Sequence, residues 1–243
     1  DSAGIALVRN GSIDIRKKVG GIANLEELLK QEMARGICFD SHTGIGHTRW
    51  ATHGAPSDVN AHPHASEDGT VAIVHNGIIE NFVEIKQRLI AEYNVKFKSE
   101  TDSEVIAHLI AAHMKNYSTL EDAVYAATLE MRGAYALVVV SSKDPNKIVA
   151  VRKDAPLIAG IGKGENFIAS DIPALMKHCK EIYLIENGEM VVVTADEIKI
   201  YDEERNPVQR DVFHVTWDAD AAEKEGYSHF MLKEMHEQPK AIS

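Results

Sequence analysis

His47-Thr48-Arg49-Trp50-Ala51-Thr52-His53-Gly54, followed downstream by His75-Asn76-Gly77, is the stretch on which the reading of this 243-residue chain turns. It sets a guanidinium, an indole, two hydroxyls and several imidazoles beside a side-chain amide and a flexible glycine. Arg49 can clamp a carboxylate through two parallel charge-assisted hydrogen bonds. Asn76 and the Gly77 N–H can together donate to an oxygen that becomes negative in a transition state. Those are the needs of a site that holds an amino acid and attacks its amide. No residue of the stretch is an obvious nucleophile.

Working outward, Thr43 to Arg49 and Thr70 to His75 read as short strands feeding the two halves of this site. The Pro-, His- and Asn-rich loop between them has a length that marks functional or disordered segments. Upstream, Gly4 to Arg9 and Ser12 to Lys17 are strand-like and joined by Asn10-Gly11, a type I′ hairpin signal. Leu25 to Ala34 has helical periodicity, with Gly36 as its stop. Downstream, Phe82 to Glu92 is amphipathic. Thr101-Asp102-Ser103-Glu104 fits a capping box before a second helix, and a third is expected from Thr119 to Met131. After Gly133 the texture turns to strands: 134–141, 147–151, 157–161, 167–170, 181–185, 190–194 and 198–201. A short helix capped by Asp171 interrupts them. Gly160 to Gly164 reads as a hairpin turn and Asn187-Gly188 as another hairpin signal. Paired helices between two strand groups indicate a layered α+β domain. The division expected is a domain over residues 1–217 and a polar C-terminal tail over 218–243, helical near Met231 to Met235, leading to a further domain.

Composition narrows the partners. A net charge of −11 without a Lys/Arg run argues against nucleic acid or an anionic membrane as partner. The longest apolar run, Ala134 to Val140, is too short to span a bilayer. With no secretory segment at the start and only Cys38 and Cys179, the cytoplasm is the expected location.

Gly46 to Gly54, Asn60-Ala61-His62-Pro63-His64, His75 to Asn81, Ser99-Glu100-Thr101-Asp102 and Ala169-Ser170-Asp171 stand in this order, and Lys233 to Pro239 closes the set. In these motifs the chain resembles the glutaminase domains of the glucosamine-6-phosphate synthase (glutamine–fructose-6-phosphate aminotransferase, isomerising) family, over essentially its whole length. The resemblance implies an N-terminal-nucleophile hydrolase fold, a four-layer α/β/β/α sandwich with two antiparallel sheets between helices. It implies L-glutamine as substrate, hydrolysed to glutamate, with ammonia passed to a C-terminal isomerase domain of the same polypeptide for hexosamine synthesis. By motif match Arg49 would bind the α-carboxylate of glutamine and Asp102 its α-ammonium. Asn76 and Gly77 would form the oxyanion hole. Trp50, Thr52 and His53 would belong to a loop that closes over the substrate, with His62 helping to hold it. The full-length protein would be a homo-oligomer, and no cofactor is implied.

The family's nucleophile is an N-terminal cysteine whose own α-amine, with a pKa near ~8, acts as the base. The resemblance places that cysteine ahead of Asp1 by one strand and one helix, roughly thirty residues at the usual size of such units. A polypeptide beginning at Asp1 is therefore expected not to hydrolyse glutamine by itself. Neither Cys38 nor Cys179 has the setting of a substitute. The cluster His42, His47, His53, His62, His64 and His75 invites a metal, yet its spacing matches no strong zinc pattern, so ordering of the loop by hydrogen bonds is the reading kept. Two rivals remain open. One is the glutaminase domain of another class II amidotransferase, against which the Thr48 to Gly54 run argues. The other is a non-catalytic module that binds glutamine or glutamate.

Overall fold

The computed structural model describes residues 1–50, 54–216 and 226–242. In chain order its elements begin with β1 (Ser2–Arg9), β2 (Ser12–Val19), α1 (Ile22–Ala34), β3 (Thr43–Arg49), β4 (His64–Ala65) and β5 (Val71–Ile79). Three helices follow, α2 (Phe82–Tyr93), α3 (Glu104–His113) and α4 (Leu120–Thr128), then β6 (Gly133–Ser141) and β7 (Asp144–Lys153). The rest comprises β8 (Ile158–Ile161), β9 (Asn166–Ala169), β10 (Glu181–Leu184), β11 (Met190–Val193), β12 (Ile198–Tyr201), β13 (Pro207–Val208), β14 (Phe213–His214) and α5 (Phe230–Ile242). The proposed boundary at residues 217 and 218 lies outside the described residues.

The first hairpin follows from its turn. Asn10 and Gly11 both take positive φ, 51° and 71°, as a type I′ turn demands, and Arg9 sits opposite Ser12. β3 pairs with the other edge of β1, which sets Ser2 opposite Arg49 in a sheet of order β2-β1-β3. α1 packs on β1 and β2, tied by Arg16 Nε donating to Glu32 at 2.5 Å. Seven strands form the largest sheet, in the order β13-β12-β11-β7-β6-β5-β4, and β14-β10-β8-β9 form a third.

Strand alternation decides what each face buries. On β5, Val71 and Ile73 join Leu137, Val149 and Val192 under α2, α3 and α4, where Leu89, Ile106, Ile110 and Leu120 are fully buried. The intervening Ala72 and Val74 point the other way, onto Ala6, Val8 and Ile45 of the three-stranded sheet. Farther along the same face, Ala150, Val191 and Val193 meet Leu157, Ala159 and Ile185 beside the four-stranded sheet. Each fully buried Val, Leu or Ile side chain here contributes about 1.5–3 kcal/mol.

Five expectations need correction. The strands divide over three sheets among the described residues, where two were expected, because β3 and β9 are both sheet edges without a shared partner. β5 does not stop at His75 but runs through Asn76 and Gly77 to Ile79, paired with β6 down to Ile79 opposite Gly133. Glycine permits this: a Cβ on Gly77, at φ 129°, would lie 2.0 Å from the Ala134 carbonyl oxygen. Asn187-Gly188 does not close a hairpin, since β10 pairs with β8 and β11 with β7. Its polar groups tie the crossing between sheets instead, Asn187 Oδ1 accepting from the Asp154 N–H at 2.6 Å and the Gly188 N–H donating to Arg152 at 2.9 Å. The capping box before α3 does not form either. Ser103 makes no side-chain cap, and the Glu104 carboxylate turns back to the N–H groups of Lys98 and Ser99. α4 also ends at Thr128, short of Met131, because Asn81 captures the Glu130 carbonyl and the Arg132 N–H and turns the chain into β6.

Candidate active site

The alternation that fills the core also builds the site. On β3, Ile45 faces the large sheet, so His47 and Arg49, two and four residues on, face it too. On β5, Val74 faces the small sheet, and Asn76 follows it. Where the apolar pairs end, His47 and Asn76 meet: His47 Nε2 lies 2.7 Å from Asn76 Oδ1. A cleft of about 370 Å³ opens there, lined by Arg49, Trp50, His75, Asn76, Gly77 and Asp102 among others. That is the size of a pocket for a small polar molecule.

The two charged groups are held from below. Arg49, 6% exposed, donates through one terminal nitrogen to the Gly54 carbonyl at 3.2 Å. Its burial lowers the guanidinium pKa, and the nearby Asp102 carboxylate opposes that. Asp102, also 6% exposed, accepts from the Ile79 N–H at 2.8 Å and from the Ser103 hydroxyl at 3.4 Å.

β5 presents its free edge to the cleft. The His75 N–H donates to His62 Nδ1 at 3.2 Å and the Ile79 N–H to Asp102, both away from β6. N–H groups two residues apart on a strand leave by the same edge. The Gly77 N–H, between them, therefore leaves by that edge into the cleft, beside the exposed Asn76 amide. The Gly77 N–H thus reaches the cleft with no side chain on Gly77 to block it, and the Asn76 amide stands beside it.

Beneath lies a stack of imidazoles. The His47 and His62 rings stack at 4.4 Å, and His62 meets His64 edge-on at 4.7 Å. His75 hydrogen-bonds the Ser103 hydroxyl at 2.8 Å, and His64 pairs with Thr101 at 3.1 Å. Burial, first of all, keeps these rings neutral: His75 falls to about 4 against the pull of Asp102, His64 to about 3, and His62 well below the ordinary value. Among the described residues no group of three or more His, Cys, Asp or Glu side chains is arranged to hold a metal ion.

Five of the expected site residues, Arg49, Trp50, Asn76, Gly77 and Asp102, line one cleft. Trp50 is 87% exposed there. His62 also borders the cleft but is buried, supporting His47 and β5. Thr52 and His53 lie outside the described residues. Reading by sequence missed His47 and Ser103. The spacing of His47 from Arg49 on one strand was the available signal for the first; Ser103 had none.

Comparison with known proteins places the chain in context. The family described as glutamine amidotransferase domain matches residues 31–200. The chain is 53% identical over its whole length to the glutamine–fructose-6-phosphate aminotransferase [isomerizing] of Clostridium tetani, and 50% identical to that of Aquifex aeolicus. It spans only 38% and 40% of the lengths of those two relatives. Among solved structures, the glutamine phosphoribosylpyrophosphate amidotransferase from B. subtilis superposes with a TM-score of 0.67 at 24% identity, over 85% of this chain and 44% of that one. That likeness is one of fold: sheets and helices arranged as in a class II amidotransferase. No described helix is long and apolar enough to cross a membrane.

Proposed function

Because the chain belongs to the glutamine amidotransferase domain family, we propose that its cleft binds L-glutamine and that the chain is the glutaminase part of a glutamine–fructose-6-phosphate aminotransferase. The observation that carries this is the convergence of Arg49, Asp102, Asn76 and the Gly77 N–H on one cleft of about 370 Å³. A guanidinium and a carboxylate recognise the two charged ends of an α-amino acid. A pair of N–H donors in the same cleft suits the carbonyl oxygen of its side-chain amide. In this reading Arg49 binds the α-carboxylate, Asp102 the α-ammonium, and Trp50, Thr52 and His53 form the closing loop, with His62 bracing its base.

A thiolate adding to the amide carbon pushes the C=O electron pair onto oxygen, where Asn76 and Gly77 donate to it. The proton taken from the thiol by the α-amine passes to the amide nitrogen as the C–N bond breaks and ammonia leaves, and water hydrolyses the thioester to glutamate and the free thiol. The family resemblance assigns the thiol to an N-terminal cysteine preceding Asp1. The facing edges of β3 and β9 support a strand there: Thr43, Gly44, Asn166 and Phe167 border a groove of about 790 Å³ between them. A strand in that groove would join the two smaller sheets and complete a four-layer α/β/β/α sandwich. The relatives' greater length supports residues 218–243 as the start of a link to an isomerase domain, where ammonia would meet fructose 6-phosphate.

The test uses the full-length protein with glutamine and fructose 6-phosphate. Glucosamine 6-phosphate should form. Arg49→Ala should raise the KM for glutamine roughly thirtyfold or more, the loss expected for one partner of a buried hydrogen-bonded charge pair. An unchanged KM would sink the assignment of the cleft. Glutamine binding without turnover would favour the non-catalytic module.

A further inference from the structure

A carboxamide is nearly symmetric in shape, so packing alone does not say which end faces a cleft. For Asn76 the choice is decisive: its NH2 group would stabilise a developing oxyanion, whereas its oxygen would repel one. We propose that His47 is a positioning residue whose Nε2–H holds the Asn76 oxygen and so turns the Asn76 NH2 group into the cleft. This rests on the glutamine-hydrolysing role proposed for the cleft.

Three observations carry it. The contact is short, 2.7 Å between His47 Nε2 and Asn76 Oδ1. The ring is fixed: it stacks on His62 at 4.4 Å with planes 23° apart, and His62 is itself pinned by the His75 N–H at 3.2 Å. The proton also belongs on Nε2. His47 Nδ1 is buried with no hydrogen-bond partner among the described residues, so the other tautomer would bury an orphaned N–H, a rarer defect than an unmet acceptor. Burial, with Arg49 nearby, keeps the ring neutral although the bond to Asn76 favours its charged form. A neutral Nε2–H imidazole has one proton to donate, and Asn76 takes it.

The arrangement also explains why β3 serves both halves of the chemistry. His47 and Arg49 are two residues apart on one face, so the same strand holds the amino-acid clamp and orients the amide opposite.

The experiment compares glutamate release by full-length variants. His47→Phe keeps a ring to stack on His62 and removes the donor; its kcat should fall about tenfold or more, part of the loss seen when an oxyanion donor is deleted outright, with KM within about twofold. His47→Gln, which restores an N–H, should recover part of the rate. On an Asn76→Ala background His47→Phe should change nothing further, since no amide remains to orient. Equal losses on both backgrounds, or an unchanged kcat, overturn the proposal. If Arg49→Ala leaves KM unchanged, the glutamine reading fails instead. ¹⁵N spectra of histidine-labelled wild type test the geometry without activity or a variant: a protonated Nε2 on His47 is expected, and a protonated Nδ1 overturns the proposal.

Discussion

Glu104→Gln tests how the cleft is held in shape. The carboxylate, 4% exposed, accepts from the Lys98 N–H at 2.9 Å, the Ser99 N–H at 2.6 Å and the Ser99 hydroxyl at 2.7 Å, with His108 Nε2 at 3.4 Å. Burial would raise its pKa; the hydrogen bonds from His108, Lys98 and Ser99 outweigh burial and hold it at about 2, against an ordinary 4.5. The sign follows directly. The folded protein binds this proton less readily than the unfolded chain, so the stabilisation is full above pH 4.5 and is lost as pH falls through about 2. At 1.36 kcal/mol per pKa unit it amounts to about 3 kcal/mol at neutral pH and roughly half that at pH 3. Gln keeps the shape but loses the charge and offers an NH2 to groups that also donate. Urea unfolding at pH 7, 5 and 3 should show wild type ahead by about 3 kcal/mol at neutrality, with the gap shrinking toward acid. A gap that does not change with pH, or no gap at pH 7, refutes the reasoning. Because this carboxylate anchors the segment that ends in Asp102, glutamine affinity should weaken along with stability.

Further substitutions probe other supports. Gly77→Ala would place a Cβ 2.0 Å from the Ala134 carbonyl oxygen at a φ of 129°, and should cost at least about 1–3 kcal/mol in chemical denaturation as well as most activity. A normal unfolding midpoint would show that β5 does not run through the site as described. Asn60→Ala removes a buried amide that joins Ala55, Glu100 and the loop beside Arg49, and should lower stability by about 1–3 kcal/mol. Proteolysis should then become faster within residues 54–60; unchanged proteolysis in a destabilised variant would place that amide's role elsewhere.

Local chemistry was enough for much of this protein. Asn10-Gly11 determined the first hairpin because few residue pairs take positive φ twice in succession. The bounds of β3 and β12 and the core of α2 followed from periodicity. The family resemblance named Arg49, Asn76, Gly77 and Asp102 together, and the structure sets all four on one cleft. Tertiary structure decided what depends on partners distant in sequence. Gly77 reads as a break until β6 pairs across it, and only that pairing aims its N–H into the cleft. Glu104 reads as a cap until Lys98 and Ser99 approach its carboxylate. Asn187-Gly188 reads as a hairpin until β8 and β7 claim the strands on either side. His47 looked like one histidine among six. Only the stacking of two sheets put it against Asn76, 29 positions away, because contact across a core is set by which faces pack and no local pattern records it.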